Sequence, residues 1–248
     1  MTGERGRPLG IHWRSQITVF VVGNLLKGYG SSCGRLPRTV REQLFLFDFD
    51  GVLVDSLSFY EKSVNLCLER IGQRPIETLE EFLDLFEENF FSAIAKRGVN
   101  VARFMAASKE VTPTLDYGIV KPVENFIPVL EELKKYSTLV IISSNSSYAI
   151  RLMLGKYGFS PYFDDILGAD FSFSKIEKIR HAMDRYATGG NHSLYVCDTA
   201  GDIREAREAG VKTVAVTWGW HPRSRLERAL PDVVVDEPKN LLGLATLT

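Results

Sequence analysis

The sequence predicts an α/β protein: a doubly wound, mostly parallel sheet with an α-helical subdomain inserted near its start. Three observations carry that expectation. Short apolar runs that end in polar turns recur at residues 44–47, 138–142, 193–197, 213–216 and 233–235. An unbroken run of this kind reads as a strand covered on both faces, as in a parallel sheet. Helical apolar patterns fill the spaces between them, at 123–136, 148–157, 175–186 and 203–209, and that alternation is what a doubly wound sheet needs. Finally, the interval 57–121 shows helical patterns in succession with no strand signal between them.

In chain order, residues 1–42 stand apart. Seven Lys or Arg residues and a single acid, Glu4, fall before residue 42, and the one apolar stretch is broken by Gly23 and Asn24. A basic, acid-poor start is compatible with a targeting segment, but no compact apolar run with a cleavage site follows. The segment reads as a poorly packed extension outside the chemistry. Residues 43–56 and 122–248 form the expected core. Within 57–121, Ser58 and Glu61 have capping-box spacing ahead of Val64, Cys67, Leu68 and Ile71. A second helix is expected over 78–91, with Leu79, Phe82, Leu83, Phe86 and Phe90 on one face, and a third over 101–109. This interval reads as a helical cap.

Composition narrows the function classes. With 45% hydrophobic and 25% charged residues, the 248-residue chain has enough apolar content and length for a core plus a modest insert. A net charge of −1 gives no support to nucleic-acid binding or a polybasic membrane surface. No apolar run approaches the roughly 20 residues of a membrane span, so a cytoplasmic location is expected, with targeting by the basic extension left open. Cys33, Cys67 and Cys197 lie far apart, which fits a reducing compartment better than a disulfide framework or a zinc site. His12, His181, His192 and His221 show no metal-ligand spacing.

Four motifs sit where such a sheet collects its ligands, at the carboxyl ends of strands. The first is Asp48-Phe49-Asp50-Gly51. Residues two apart on a strand point the same way, so both carboxylates can reach one ligand. Their repulsion calls for a cation or a shared proton, and Mg²⁺, a hard oxygen-seeking ion, is the natural relief. Beside a phosphate, one carboxylate can attack phosphorus while the other protonates the leaving oxygen. The plain alternative is a strand-to-loop turn, where Asp and Gly are common.

The second motif, Ser143-Ser144-Asn145, offers hydroxyls at a strand end next to a helix N-terminus, suited to phosphate; register favours Ser144, and helix capping is the alternative. In the third, Ser174 and Glu177 have capping-box spacing that puts Lys175 at the first helical position. A cation there opposes the helix dipole by a few tenths of a kcal/mol, roughly, and an anionic substrate would offset it. Lys178 is its rival. The fourth runs Asp198-Thr199-Ala200-Gly201-Asp202. Asp198 ends a strand and would complete a carboxylate cluster, whereas Asp202 reads equally well as an N-cap.

These four motifs in this order resemble the haloacid dehalogenase-like superfamily, above all its phosphoglycolate-phosphatase-like members with a helical cap. The resemblance covers residues 44–248. It implies a Rossmann-like core and an Mg²⁺-dependent phosphatase acting on a small phosphorylated metabolite through an aspartyl-phosphate. In that scheme Asp48 is the nucleophile and Asp50 the general acid/base. Ser144, Asn145 and Lys175 bind the phosphoryl group. Asp48, the carbonyl of Asp50 and Asp198 bind the metal, and Asp202 supports them. 2-Phosphoglycolate is the first substrate to try. The same core also serves phosphomutases on sugar phosphates, and a non-catalytic module with a relic site is the reading from another class; all catalytic residue types being present argues against it.

Cys197 departs from the family, which usually has glycine before the metal-binding acid; the residue either crowds the site or points into the core as a small hydrophobe. Trp218-Gly219-Trp220 resembles a family loop near the active site. In the cap, Lys62, Lys96, Arg97 and Arg103 are candidates for a second anionic contact.

Overall fold

The computed structural model describes residues 43–245. The extension expected at 1–42 lies outside them, as do Cys33 and His12. Strand β1 (Gln43–Phe47) is buried along its whole length, as an apolar run with no polar alternation requires. After it come β2 (Val54–Asp55) and the insert: α1 (Leu57–Arg70), α2 (Leu79–Asp84), α3 (Phe90–Lys96) and α4 (Val101–Val111). Strand β3 (Lys121–Pro122) pairs antiparallel with β2, so the chain leaves the insert beside the point where it entered. The core then alternates through α5 (Phe126–Tyr136), β4 (Ser137–Ile142), α6 (Ser147–Tyr157), β5 (Asp165–Leu167), α7 (Lys175–Tyr186), β6 (Ser193–Cys197), α8 (Ala200–Ala209), β7 (Lys212–Val216), α9 (Arg223–Arg228) and β8 (Val233–Val235).

The six core strands lie in the order β5-β4-β1-β6-β7-β8, every neighbouring pair parallel. From β1 the chain winds outward through β4 to β5, then returns to the other side of β1 and winds outward again through β6, β7 and β8. The reversal leaves a crevice at the carboxyl ends of β1, β4 and β6.

The period-2 geometry of β1 divides its side chains between two cores. Phe45 and Phe47 face Val129, Leu130 and Leu133 of α5 and Ile150 and Met153 of α6. Leu44 and Leu46 face Ile179 and Ala182 of α7 and Ile203 and Ala206 of α8. Each fully buried Phe or Leu contributes about 2 kcal/mol of transfer free energy, which makes β1 costly to disturb. The helices α1–α4 gather a third cluster around Phe82, Phe86, Phe90 and Phe104, to which Trp220 also belongs. Cys197 is fully buried in the cluster with Leu44 and Leu46, the second of the two places open to it.

Local details differ from expectation in several places. Helix α1 starts at Leu57, which puts Ser58 inside it; Ser56 occupies the cap position, makes no capping bond, and instead donates its hydroxyl to Asp50 at 2.7 Å. The helix expected over 78–91 is two helices, because the Asn89 side chain accepts the N–H groups of Phe91 and Ser92 and starts α3 afresh. The short edge strand β5 was not expected. Thr199, not Asp202, caps α8, accepting the N–H of Asp202. Among the described residues no helix is long and apolar enough to cross a membrane.

Candidate active site

The three adjacent strand ends assemble the site. Phe47 is in register with Ile141 of β4 and Val196 of β6, so Asp48, the Ser143-Ser144-Asn145 turn and Asp198 emerge side by side. Asp48 is held at both oxygens: Oδ1 accepts the N–H of Phe49 at 2.7 Å and Oδ2 accepts Lys175 Nζ at 2.7 Å. Lys175 Nζ donates as well to Asp202 Oδ2 at 2.6 Å. Ser174 caps α7 as its spacing predicts, accepting the N–H of Glu177, and this places Lys175 in the first turn. Two buried carboxylates offset its position against the helix dipole.

Asp50 accepts the Ser56 hydroxyl at 2.7 Å on Oδ1 and the Asn145 amide at 3.2 Å on Oδ2. Asn145, expected beside the phosphate, thus commits its amide to Asp50. Ser143 is buried with its hydroxyl accepting the N–H of Asn145, while Ser144 lines the cavity over Asp48. Lys178 is buried too, but its Nζ reaches the Ser143 carbonyl at 2.6 Å, and burial pushes its amine down to about 7. Of the two lysines, Lys175 is the one on the carboxylates.

Burial raises the carboxyl of Asp48 well above the ordinary range, against the pull of Lys175. It raises Asp50 as well, opposed by the bonds from Ser56 and Asn145. Asp198 is pushed up by burial to about 7, even though its Oδ2 accepts the Trp220 N–H at 2.7 Å. Asp202 is the exception: burial, the largest influence, works against its ionised form, but the charge of Lys175 and the hydrogen bonds from Lys175, Asp48 and Thr199 together hold it low.

Carboxylate oxygens of Asp48, Asp198 and Asp202 all lie within 4.8 Å of one another. One lysine against these three acids leaves an uncompensated negative site, and Asp198 Oδ1 is buried with no hydrogen-bond partner. Both observations fit a hard divalent cation. Gly51 makes room for Asp198: with φ at +77°, it carries a backbone few side chains tolerate, and a Cβ there would stand 1.9 Å from Asp198 Oδ2.

Two cavities meet over these groups, a smaller and a larger, and both are bounded by Tyr60, Phe90 and Ser144. The smaller covers Asp48, Asp50, Lys175 and Asp198 and is roofed by Phe86, Glu88 and Trp220. The larger runs under α4 past Met105, Ser108 and Tyr117. None of the cap cations singled out in the sequence bounds either cavity. Lys96 pairs with Glu88, Arg97 with Glu81, Arg103 reaches the Ile71 carbonyl, and Lys62 is exposed.

Sequence reasoning missed the contacts that seat the cap. His221 is fully buried: its Nδ1 accepts the N–H of Ala200 at 3.1 Å, so Nε2 carries the proton and donates to the Leu83 carbonyl at 3.0 Å. Burial lowers its pKa, in keeping with that neutral ring. Gly201 donates its N–H to the Phe86 carbonyl at 2.8 Å, and Asn89 donates to both oxygens of Glu205 at 3.1 Å. Trp218 packs on Phe126 and donates to the Val52 carbonyl, a core role, whereas Trp220 packs against Tyr60 and Phe86 in the cap.

Comparison with known proteins shows likeness over most of the chain. A phosphoglycolate phosphatase of Synechococcus elongatus is 29% identical over 209 residues, spanning 82% of this chain and 97% of the relative. A solved structure described as a predicted phosphatase from Clostridium acetobutylicum superposes with a TM-score of 0.71 at 21% identity, covering 82% of this chain and 97% of that one. A haloacid dehalogenase-like family hydrolase of Streptococcus pneumoniae does so with a TM-score of 0.67 at 21% identity, covering 82% and 98%. At those identities the structures show the fold. Residues 45–216 match the family described as haloacid dehalogenase-like hydrolase, and with that match over most of its length the chain belongs to this family.

Proposed function

We propose that the protein is an Mg²⁺-dependent phosphatase that hydrolyses a small organic phosphate monoester through an aspartyl-phosphate on Asp48. The observation that carries this reading is the pairing of Asp48 Oδ2 with Lys175 Nζ at 2.7 Å beneath a cavity that Asp50 and Ser144 also line. Lys175 would orient the nucleophilic carboxylate and screen the incoming phosphoryl charge. An oxygen of Asp48 attacks phosphorus, forming the acyl phosphate as the bond to the alcohol oxygen breaks. Asp50, whose carboxyl burial keeps protonated to higher pH than an exposed one, gives its proton to the departing oxygen. The Asp50 carboxylate then takes a proton from water as that water attacks phosphorus, releasing phosphate and regenerating Asp48.

Asp48, Asp198 and the backbone carbonyl of Asp50 would hold Mg²⁺, with Asp202 supporting them; bound there, the ion would neutralise charge on the transferring phosphoryl oxygens. The Synechococcus elongatus relative is named a phosphoglycolate phosphatase, so small monoesters are the class to test.

The decisive variant is Asp48→Asn, nearly isosteric and far less nucleophilic. Turnover of p-nitrophenyl phosphate should fall at least about a thousandfold, with thermal melting preserved and no alkali- and hydroxylamine-labile phosphoprotein trapped on rapid acid quench. Wild-type turnover in that variant would move the nucleophile elsewhere, and wild-type turnover undiminished by EDTA would remove the metal from the scheme.

A further inference from the structure

The cavity that would receive the alcohol half of the substrate has walls of one chemical kind. Among the described residues that bound the larger cavity, none is charged: it is faced by Phe59, Phe91, Phe104 and Met105, with Ser and Thr hydroxyls between them. In the smaller cavity the single cation is Lys175, already shared between Asp48 and Asp202. The remaining charges there are acids; beyond the catalytic cluster stand Glu205 and Glu88, the latter already paired with Lys96. A carboxylate carried into this space would lose its water without gaining a cation and would face further negative charge, which strongly disfavours an anion.

What the walls do offer is neutral hydrogen bonding. Tyr117 bounds the larger cavity and Trp220 the smaller; Tyr117 Oη and Trp220 Nε1 are both buried with no partner. Buried unpartnered donors are costly in a native protein and call for an explanation. Both atoms are closed off from the cavities in this packing, so what the open wall offers a substrate is the hydroxyls of Ser63, Ser108 and Thr112.

Resting on the phosphatase reading, we infer that the preferred substrate is a phosphate monoester of an uncharged, largely apolar alcohol, and that an ester with an anionic leaving group is a poorer substrate than its neutral isostere. The reason lies in this chain's own residues: Lys62, Lys96, Arg97 and Arg103 all lie off the cavity walls, and the inner wall of the cap is aromatic.

The test compares 2-phosphoglycolate with carbamoylmethyl phosphate, the amide of the same shape without the carboxylate charge, at pH 7 and with benzyl phosphate and phosphocholine in the panel. The expected result is a kcat/KM for carbamoylmethyl phosphate at least about tenfold above that for 2-phosphoglycolate, with benzyl phosphate also ahead of both charged esters. Met105→Lys, which sets an ammonium on the cavity wall in a side chain of similar length, should raise 2-phosphoglycolate turnover and narrow that ratio. Equal or better use of 2-phosphoglycolate by the wild type would overturn the inference while leaving the phosphatase intact, and so would a preference for phosphocholine. Failure to hydrolyse any ester, p-nitrophenyl phosphate included, would instead remove the phosphatase reading itself. The wild-type ratio decides the matter even if the variant does not fold.

Discussion

The two walls of the site are built on different principles. The core wall is a lattice of charges: Lys175 between Asp48 and Asp202, and Asp198 beside them, all buried and all set at strand ends or helix starts whose places the sheet fixes. The cap wall is aromatic, made of Tyr60, Phe86 and Phe90, and it is seated by backbone carbonyls near the end of α2 that accept from Gly201 and His221. A helix end leaves such carbonyls in need of outside donors, and here the core provides them. On the proposed reading, chemistry would be fixed by the core wall and substrate choice by the cap, which is seated by hydrogen bonds, ion pairs and the packing of Trp220.

The largest test of that contrast separates the two lysines of α7. Lys175→Met strands Asp48 and Asp202 without a counter-charge; turnover should fall at least about a thousandfold and stability by about 3 kcal/mol. Lys178→Met removes a buried amine whose recorded bond is to the Ser143 carbonyl, so turnover should stay within about tenfold and the melting temperature should hold or rise. Equal damage from both, in single-turnover kinetics and thermal melts, would contradict the division of labour between them.

A smaller effect is expected at the seat of the cap. A Cβ at Gly201 would stand 2.5 Å from the Glu88 carbonyl, so Gly201→Ala must push the cap off α8. Displacement of about an ångström costs up to about a hundredfold in kcat/KM, while the isolated chemistry of bound aspartyl-phosphate should change less. Smallest of all is Arg225→Met. Arg225 ties α9 to Glu80, Asp84 and Glu87 of the cap, but Glu80 and Asp84 are mostly exposed, so the loss should be about 1 kcal/mol or less and should shrink further with added salt. A loss larger than that of Gly201→Ala would mean that ion pairs, not backbone hydrogen bonds, seat the cap.

The core wall was readable from sequence and most of the cap wall was not. Strand β1 announces itself because both of its faces are buried, and the acids that follow β1 and β6 inherit their places from the strands. The short strand β5 escaped because Asp165-Ile166-Leu167 is too brief to show a pattern. Asn89 precedes Phe90 and Phe91 as a helix-starting residue should, yet the apolar spacing of Phe82, Phe86 and Phe90 ran through it and suggested one continuous helix. His221 and Leu83 meet across 138 residues of chain, and Asn89 and Glu205 across 116. Contacts of that range leave no local periodicity, so nothing in the sequence around His221 marks it for this role.

The place of β1 in the middle of the sheet also bears on biosynthesis. It is the first core strand to leave the ribosome, yet one neighbour follows about ninety residues later and the other about one hundred and fifty. At roughly 5 to 20 residues per second, a strand of bare Leu and Phe waits several seconds for its first partner. The interval is filled by the cap helices, which carry an apolar cluster of their own and are the part of the nascent chain able to collapse first and shelter it.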